Sequence, residues 1–166
     1  MPRLVVVLPL RPLAVGDSFA LRDWPLHLTV VPTFVIDADL ATVWSAIAPL
    51  LAPVPALTVR AGHDEGFGRS AGRPVTLIEP TAAVLDLHRS LLAALLALGA
   101  RFDEPDFTGS GYRPHVTVKG TSRVRQGHQL TLRQAAIVDM APASDQRGRA
   151  VVWVTDLGAA TLTPPR

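Results

Sequence analysis

The chain has 166 residues, of which 48% are hydrophobic and 18% charged, a balance that is typical of a globular protein and excludes a disordered one. The formal net charge is only +2, so the strong basic excess expected of a duplex-DNA-binding protein is absent. The lack of cysteine excludes disulfides, thiolate zinc sites and thiol nucleophiles, and it agrees with a cytoplasmic location. We expect a single domain over residues 1–166, made of two similar lobes.

The first half of the chain predicts four strands and one helix. Apolar and β-branched runs predict the strands at residues 3–8, 27–31, 57–61 and 75–79. The proline-containing residues 9–25 and the glycine-rich, charged residues 62–73 predict loops, the second of them mobile. A helix is predicted after Asp37 or Asp39 as a cap, with one apolar face formed by Leu40, Val43, Trp44, Ile47 and Leu51. Prolines interrupt this uncharged segment, so no membrane span is predicted.

The second half of the chain predicts a longer helix and three further strands. The helix covers residues 81–98, with an apolar arc along one side and Gly99 as its C-terminal stop. Residues 101–113 predict a loop, and the strands are predicted at residues 115–118, 130–138 and 150–155. These elements predict an α+β protein, in which helices cover the outer faces of antiparallel sheets and leave the inner faces free.

One tetrapeptide pattern occurs twice, as His27-Leu28-Thr29-Val30 and as His115-Val116-Thr117-Val118. Each copy predicts a short strand, in which residues i and i+2 point to the same face. The histidine and the threonine of each copy therefore share one face, while the apolar residues anchor the other face in a core. If the two strands lie side by side, two imidazoles and two hydroxyls line one cleft.

Two facing histidines can carry out phosphodiester chemistry without a metal ion. With an ordinary pKa near ~6.5, one imidazole can be neutral and the other protonated, so the pair can serve as general base and general acid. Threonine hydroxyls can donate hydrogen bonds to the non-bridging phosphate oxygens. We predict His27 and His115 as catalytic residues and Thr29 and Thr117 as phosphate ligands, with no metal ion and no cofactor. The roles of base and acid are left open.

The paired motifs, on a chain of this length and element order, resemble those of the 2H phosphoesterase superfamily, and within it the bacterial 2′-5′ RNA ligase-like branch. The most specific segment is Tyr112-Arg113-Pro114-His115-Val116-Thr117-Val118, because an aromatic residue and a proline often precede the second histidine in that family. Valine closes both motifs where the family often has leucine. The long proline-rich loop before His27 is less typical of the family.

The resemblance implies a fold and an activity. The implied fold is bilobal with a pseudo-twofold axis, two antiparallel sheets that form a central cleft, and helices packed outside. The implied activity is metal-independent hydrolysis or transfer at RNA ends or on small nucleotides that carry a 2′,3′-cyclic phosphate or a 2′-5′ linkage. His27, Thr29, His115 and Thr117 match the family motifs by position. The expected partner is thus an RNA end or a small nucleotide, with no membrane and no duplex DNA, and a cleft within one chain favours a monomer.

Four residues outside the four motif positions are singled out. Lys119 continues the strand face of His115, and with Arg113 it is a candidate phosphate ligand. Tyr112 is a candidate for stacking a base, although ordinary packing is an alternative. His88 lies in the apolar arc of its helix, which predicts a hydrogen-bonded core residue.

Two other functions stay open. A non-catalytic RNA-end or nucleotide binder would use the same cleft without turnover. His63, Asp64 and Glu65 have the residue types of metal ligands, and a metal-dependent hydrolase would be built around them, although a solvated loop is the alternative. The physiological substrate is not specified by the motifs.

Overall fold

The protein is described by a computed structural model that covers residues 1–158. Its helices are α1 (Leu40–Leu51) and α2 (Ala82–Ala97). Its strands are β1 (Arg3–Pro9), β2 (Ser18–Ala20), β3 (His27–Val35), β4 (Leu57–Phe67), β5 (Arg73–Ile78), β6 (Arg101–Phe102), β7 (His115–Thr117), β8 (Gln129–Leu132), β9 (Gln134–Asp139) and β10 (Gly148–Asp156). Within the described residues, neither helix has the length and apolar character that crossing a bilayer requires. The end of the predicted domain, residues 159–166, lies outside them.

The strands form one antiparallel sheet in the order β2–β10–β9–β1–β3–β7–β5–β4–β8, and β6 pairs with the end of β3. The two motif strands, β3 and β7, are neighbours at the centre. We call β1, β2, β3, β9 and β10 the first lobe and β4, β5, β7 and β8 the second lobe. Strands continue outward from the β3–β7 pair on both sides. The prediction of two separate sheets is corrected, because one hydrogen-bonded path connects the two lobes.

Both helices pack on the same side of the sheet. Leu28 and Val30 of β3 and Val116 of β7 are fully or almost fully buried in the main hydrophobic core. The helices complete this core with buried residues that include Val43, Ile47, Leu51, Val84, Leu87, Leu91 and Leu95. The opposite side of β3 and β7, which carries the histidines and threonines of the motifs, is therefore not covered by a helix.

The ends of both helices follow the sequence signals. The carboxylate of Asp39 accepts a hydrogen bond from the backbone N–H of Thr42 at 2.7 Å, which caps α1. The hydroxyl of Thr81 accepts from the backbone N–H of Val84 at the start of α2. Gly99 follows α2 with a φ of 85°, the left-handed conformation that glycine adopts without strain.

Two predicted segments differ markedly from the structure. The predicted mobile loop at residues 62–73 is mostly strand, since β4 continues to Phe67 and forms a hairpin with β5. Its charged residues are tolerated there because many of them face solvent on a sheet that is covered on one side. The single strand predicted at residues 130–138 is two strands that break at Arg133. β8 pairs with β4 at one edge, whereas β9 lies between β1 and β10.

Candidate functional site

The two motif strands pair in an antiparallel register that sets Leu28 opposite Val116. In this register His27 lies opposite Thr117, and Thr29 lies opposite His115. Side chains directly opposite each other have Cβ atoms about 4.5–5.5 Å apart, and diagonal neighbours are about 7–8 Å apart. The histidines therefore occupy two diagonal corners of a four-residue array, and the threonines occupy the other two. We call these four residues the His/Thr array.

All four side chains of the His/Thr array line one cavity of about 650 Å³. The cavity lies on the side of the sheet that the helices leave uncovered. Its volume falls within the range of about 300–1,000 Å³ that is common for small-molecule sites. The structure thus brings together His27, Thr29, His115 and Thr117, which the sequence had placed on two separate strands.

Each imidazole is oriented by a backbone carbonyl two residues before it. Nδ1 of His27 lies 2.8 Å from the carbonyl oxygen of Pro25, and Nδ1 of His115 lies 2.8 Å from the carbonyl oxygen of Arg113. A carbonyl oxygen only accepts hydrogen bonds, so Nδ1 carries the proton in both rings. Nε2 is then the atom at which each ring takes up or releases a proton. The two motifs repeat this arrangement in both lobes.

Burial lowers the pKa of both histidines. The pKa of His27 is lowered to about 4, chiefly because burial disfavours the charged imidazolium, and the nearby charges of Lys119, His115 and Arg149 lower it further. Its hydrogen bond to the Pro25 carbonyl opposes this shift. Burial also lowers the pKa of His115. Near neutral pH both rings thus favour the neutral form, and a phosphate anion between them would raise both pKa values.

Two aromatic side chains that were not predicted as site residues, Trp24 and Phe67, pack against the two histidines. Trp24 stacks on His27 with 3.9 Å between ring centroids, and Phe67 contacts His115 edge-on at 4.6 Å. Phe107, which is 41% exposed, lies nearly parallel to Phe67 with 6.4 Å between centroids. Trp24 and Phe67 both fell in predicted loops, where periodicity gives no signal. The available signal for Trp24 is that each histidine has an aromatic residue three positions before it.

Tyr112 lines the cavity and contacts the backbone of the first motif. Its ring stacks on His88 with 3.9 Å between centroids, and its hydroxyl donates a hydrogen bond to the Thr29 carbonyl at 2.8 Å. The residue is only 8% exposed. This packing is the alternative that the sequence left open, and base stacking by Tyr112 stays a prediction. The hydrogen bond connects the backbone at Thr29, in the first motif, to Tyr112, which lies just before the second motif.

His88 is a hydrogen-bonded core residue, as its position in the apolar arc predicts. Nδ1 lies 2.7 Å from the Val30 carbonyl oxygen, and Nε2 accepts a hydrogen bond from the backbone N–H of Gly109 at 2.9 Å. Burial lowers the pKa of His88, which favours the neutral ring that this pair of hydrogen bonds requires. His88 and Tyr112 together hold β3 against the segment that leads into β7.

The cations around the cavity differ in whether a carboxylate neutralises them. Arg113 forms an ion pair with Glu65 at 2.8 Å, and Arg3 forms one with Asp103. Lys119 lines the cavity and forms no ion pair among residues 1–158. The role of Lys119 as a phosphate ligand stays a prediction, and the same role for Arg113 requires that its ion pair with Glu65 breaks.

The carboxylates of the alternative metal site are engaged elsewhere. Asp64 accepts hydrogen bonds from Thr76 and Arg123, and Glu65 pairs with Arg113. His63, Asp64 and Glu65 also follow one another along β4, so their side chains alternate between the two faces. In the described part of the chain, no three His, Asp or Glu side chains are grouped to hold a metal ion. These contacts argue against a metal-dependent hydrolase built on this segment.

Comparison with known proteins shows the family to which a chain with this fold and this His/Thr array belongs. The model of the 2′-5′ RNA ligase superfamily matches residues 9–157, so the chain belongs to this superfamily. This confirms the predicted family at the level of the superfamily, while the bacterial branch stays a prediction. No curated protein matches the chain.

Solved structures share the fold at low sequence identity. A phosphoesterase crystal structure is 14% identical with a TM-score of 0.60, over 94% of this chain and 98% of that chain. TT0787 of Thermus thermophilus is 16% identical with a TM-score of 0.59, over 93% and 97%. E. coli LigT complexed with 3′-AMP is 15% identical with a TM-score of 0.58, over 94% and 98%. The predicted mainly antiparallel fold with two helices is confirmed by these similarities.

Proposed function

We propose that this protein is a metal-independent phosphodiesterase that cleaves a 2′,3′-cyclic phosphate or a 2′-5′ linkage at an RNA end or in a small nucleotide. The observation that carries the proposal is the diagonal placement of His27 and His115, each with Nδ1 held by a carbonyl. This leaves two Nε2 atoms to exchange protons on opposite sides of one phosphate. Thr29 and Thr117 occupy the other two corners, from which their hydroxyls can donate to the non-bridging oxygens.

Hydrolysis of a cyclic phosphate uses the two histidines in opposite protonation states. The base removes a proton from water as the water oxygen forms a bond to phosphorus. The bond from phosphorus to the 2′ or 3′ oxygen breaks, and that oxygen takes the proton from the acid. We assign His27 as the base, because its pKa of about 4 keeps it neutral, and His115 as the acid. A full cycle returns both rings to their starting states when they exchange protons with solvent.

The wall of the cavity is suited to a nucleotide. Phe107 presents an exposed ring beside Phe67 near His115, and aromatic rings of this kind stack bases. Lys119 adds positive charge near His27. E. coli LigT has been solved with 3′-AMP, NADP⁺ and ATP, and this supports a nucleotide as the substrate of a protein with the same fold.

The proposed function is tested by turnover of adenosine 2′,3′-cyclic phosphate and of a short RNA that ends in a cyclic phosphate, with a chelator present. We expect the rate of hydrolysis to be unchanged by the chelator. The products are separated and measured by chromatography. A boiled sample and a sample with added Mg²⁺ are the controls. Binding of the cyclic phosphate without any product would instead support the non-catalytic binder, and activity that needs a metal ion would contradict the proposed mechanism.

The pH dependence of kcat/KM follows from the shifted histidines. The neutral fraction of His27 increases as pH rises above about 4. The protonated fraction of His115 decreases as pH rises through a pKa that burial holds below its ordinary value of 6.5. Because kcat/KM is proportional to the product of the two fractions, we expect a bell-shaped profile with its maximum between about pH 4 and 6.5.

This profile is measured with adenosine 2′,3′-cyclic phosphate below its KM from pH 4 to pH 9. The cyclic phosphate keeps a single negative charge over this range, so the ionisation of the reacting group does not contribute to the profile. Circular dichroism at each pH separates loss of activity from acid unfolding. A maximum above pH 7 would contradict the assignment of the two pKa shifts to the free enzyme.

A further inference from the structure

One end of the cavity carries two cations that take no part in the proton transfers of the proposed reaction. The ammonium of Lys119 and the guanidinium of Arg149 each lie 5.5 Å from the centroid of the Trp24 ring. Trp24 in turn stacks on His27, and all four residues line the cavity. Lys119 follows β7 in the second lobe, whereas Arg149 lies on β10 in the first lobe. We call Trp24, Lys119 and Arg149 the cationic end.

No carboxylate neutralises the cationic end. Among residues 1–158, neither Lys119 nor Arg149 forms an ion pair, although Arg3 and Arg113 in the same cavity both do. The two cations also repel each other. Burial, and after it the charges of Arg149 and Arg73, lower the pKa of Lys119. Like charges held close together cost free energy, and an anion at this end would relieve that cost.

Arg149 is held in place by the backbone. Its Nη1 donates to the carbonyl oxygens of Met140 at 3.1 Å and of Gly148 at 2.9 Å. Its Nε–H and the indole N–H of Trp24 are buried and have no acceptor in the described part of the chain. Donors therefore outnumber acceptors at the cationic end. A guanidinium fixed in this way is suited to a phosphate, whose oxygens accept several hydrogen bonds.

We propose that Lys119 and Arg149 form a subsite for a second phosphate group of the substrate, separate from the phosphate that reacts between His27 and His115. This inference rests on the proposed function and narrows its substrate class to nucleotides with a further phosphate. That phosphate is either the 5′-phosphate of a mononucleotide or the phosphodiester to the preceding nucleotide of an RNA strand. A nucleoside cyclic phosphate with a free 5′-hydroxyl leaves both cations without an anionic partner.

Three substrates that share one reacting group test the subsite. They are adenosine 2′,3′-cyclic phosphate, its 5′-phosphorylated form, and a diadenosine dinucleotide with a free 5′-hydroxyl and a terminal cyclic phosphate. For at least one of the two substrates with a second phosphate, we expect kcat/KM to be about tenfold or more higher than for adenosine 2′,3′-cyclic phosphate. A gain of this size is typical of one charge-assisted contact. A higher kcat/KM for the 5′-phosphorylated mononucleotide identifies the 5′-phosphate as the group that binds the subsite. A higher kcat/KM for the dinucleotide identifies the strand phosphodiester.

Variants assign the gain to the cationic end. In Arg149→Met, and in Lys119→Met, the ratio of kcat/KM with and without the second phosphate is expected to fall toward one. Arg89→Met is the matched control, because Arg89 lies on α2 in an exposed pair with Asp86 and its loss changes the net charge equally. The inference is overturned if the ratio is already one in the unmodified protein, or if it survives in both variants.

A binding measurement separates this inference from the proposed function. Dissociation constants of adenosine 3′,5′-bisphosphate and of 3′-AMP are compared by calorimetry, which requires no turnover. If no cyclic phosphate is hydrolysed, the proposed function fails, yet tighter binding of the bisphosphate by about tenfold, lost in Arg149→Met, would still support the subsite. Equal binding of the two ligands, or no binding of either, overturns it.

Discussion

Replacement of His27 or of His115 by alanine is expected to reduce kcat/KM for a 2′,3′-cyclic phosphate by about 10²–10⁴-fold, the usual contribution of a general acid or base. Each ring serves a different proton transfer in the same turnover, so neither can replace the other. The double variant is expected to lose little more than the single variants, because residues that act as one unit are not additive. The measurement is single-turnover and steady-state hydrolysis followed by chromatography.

The folding of these variants is tested separately. His27→Ala removes the donor to the Pro25 carbonyl and the ring that stacks on Trp24, so a loss of about 1–3 kcal/mol in the free energy of unfolding is expected. His27→Gln keeps a polar side chain of similar size and provides a second variant. His63→Ala, at a position of β4 outside the cavity, is the matched control. Full activity in any folded variant of either histidine would exclude the proposed mechanism.

Replacement of Thr29 or of Thr117 by valine is expected to lower kcat by about 10²–10³-fold, the usual effect of removing one donor that stabilises transition-state charge. Valine keeps the shape and the strand propensity of threonine, so the fold should be retained. If the hydroxyls bind the phosphate more strongly in the transition state than in the ground state, the loss appears in kcat more than in KM.

Thr131→Val provides the matched control for the threonine variants. Thr131 is exposed on β8 and lies outside the cavity, so the same substitution there should leave kcat unchanged. The measurement is the full dependence of rate on substrate concentration for each variant. A loss smaller than about threefold in both Thr29→Val and Thr117→Val would remove the hydroxyls from the proposed mechanism.

The sequence predicts those parts of the fold that depend on local patterns. The apolar arcs of α1 and α2 and their caps at Asp39 and Thr81 are local, and both helices lie where periodicity places them. The His/Thr array is nearly local as well, because alternation along a strand puts His27 and Thr29 on one face whatever the partner strand is. The motifs alone do not predict that β3 and β7 are direct neighbours in the sheet.

The remaining parts depend on long-range pairing, which one sequence does not show. Residues 62–67 are charged and glycine-rich, but they continue β4 because β5 pairs with them. Arg133 interrupts an apolar run that gives no sign of a change of partner strand. Arg149 reaches the cavity because β10 pairs with β9, far along the chain from either motif. No periodicity links these residues to the histidines.

The split between β8 and β9 has a consequence for the order in which the chain can fold. The strands of the second lobe all lie within residues 57–132, whereas the first lobe combines β1, β2 and β3 with β9 and β10. During synthesis β1 therefore cannot pair with β9 until more than a hundred further residues have been made. Such distant pairing slows folding and leaves an open strand edge in the meantime. A nascent chain that ends before β9 has β3 and β7 but only a partly built wall around them.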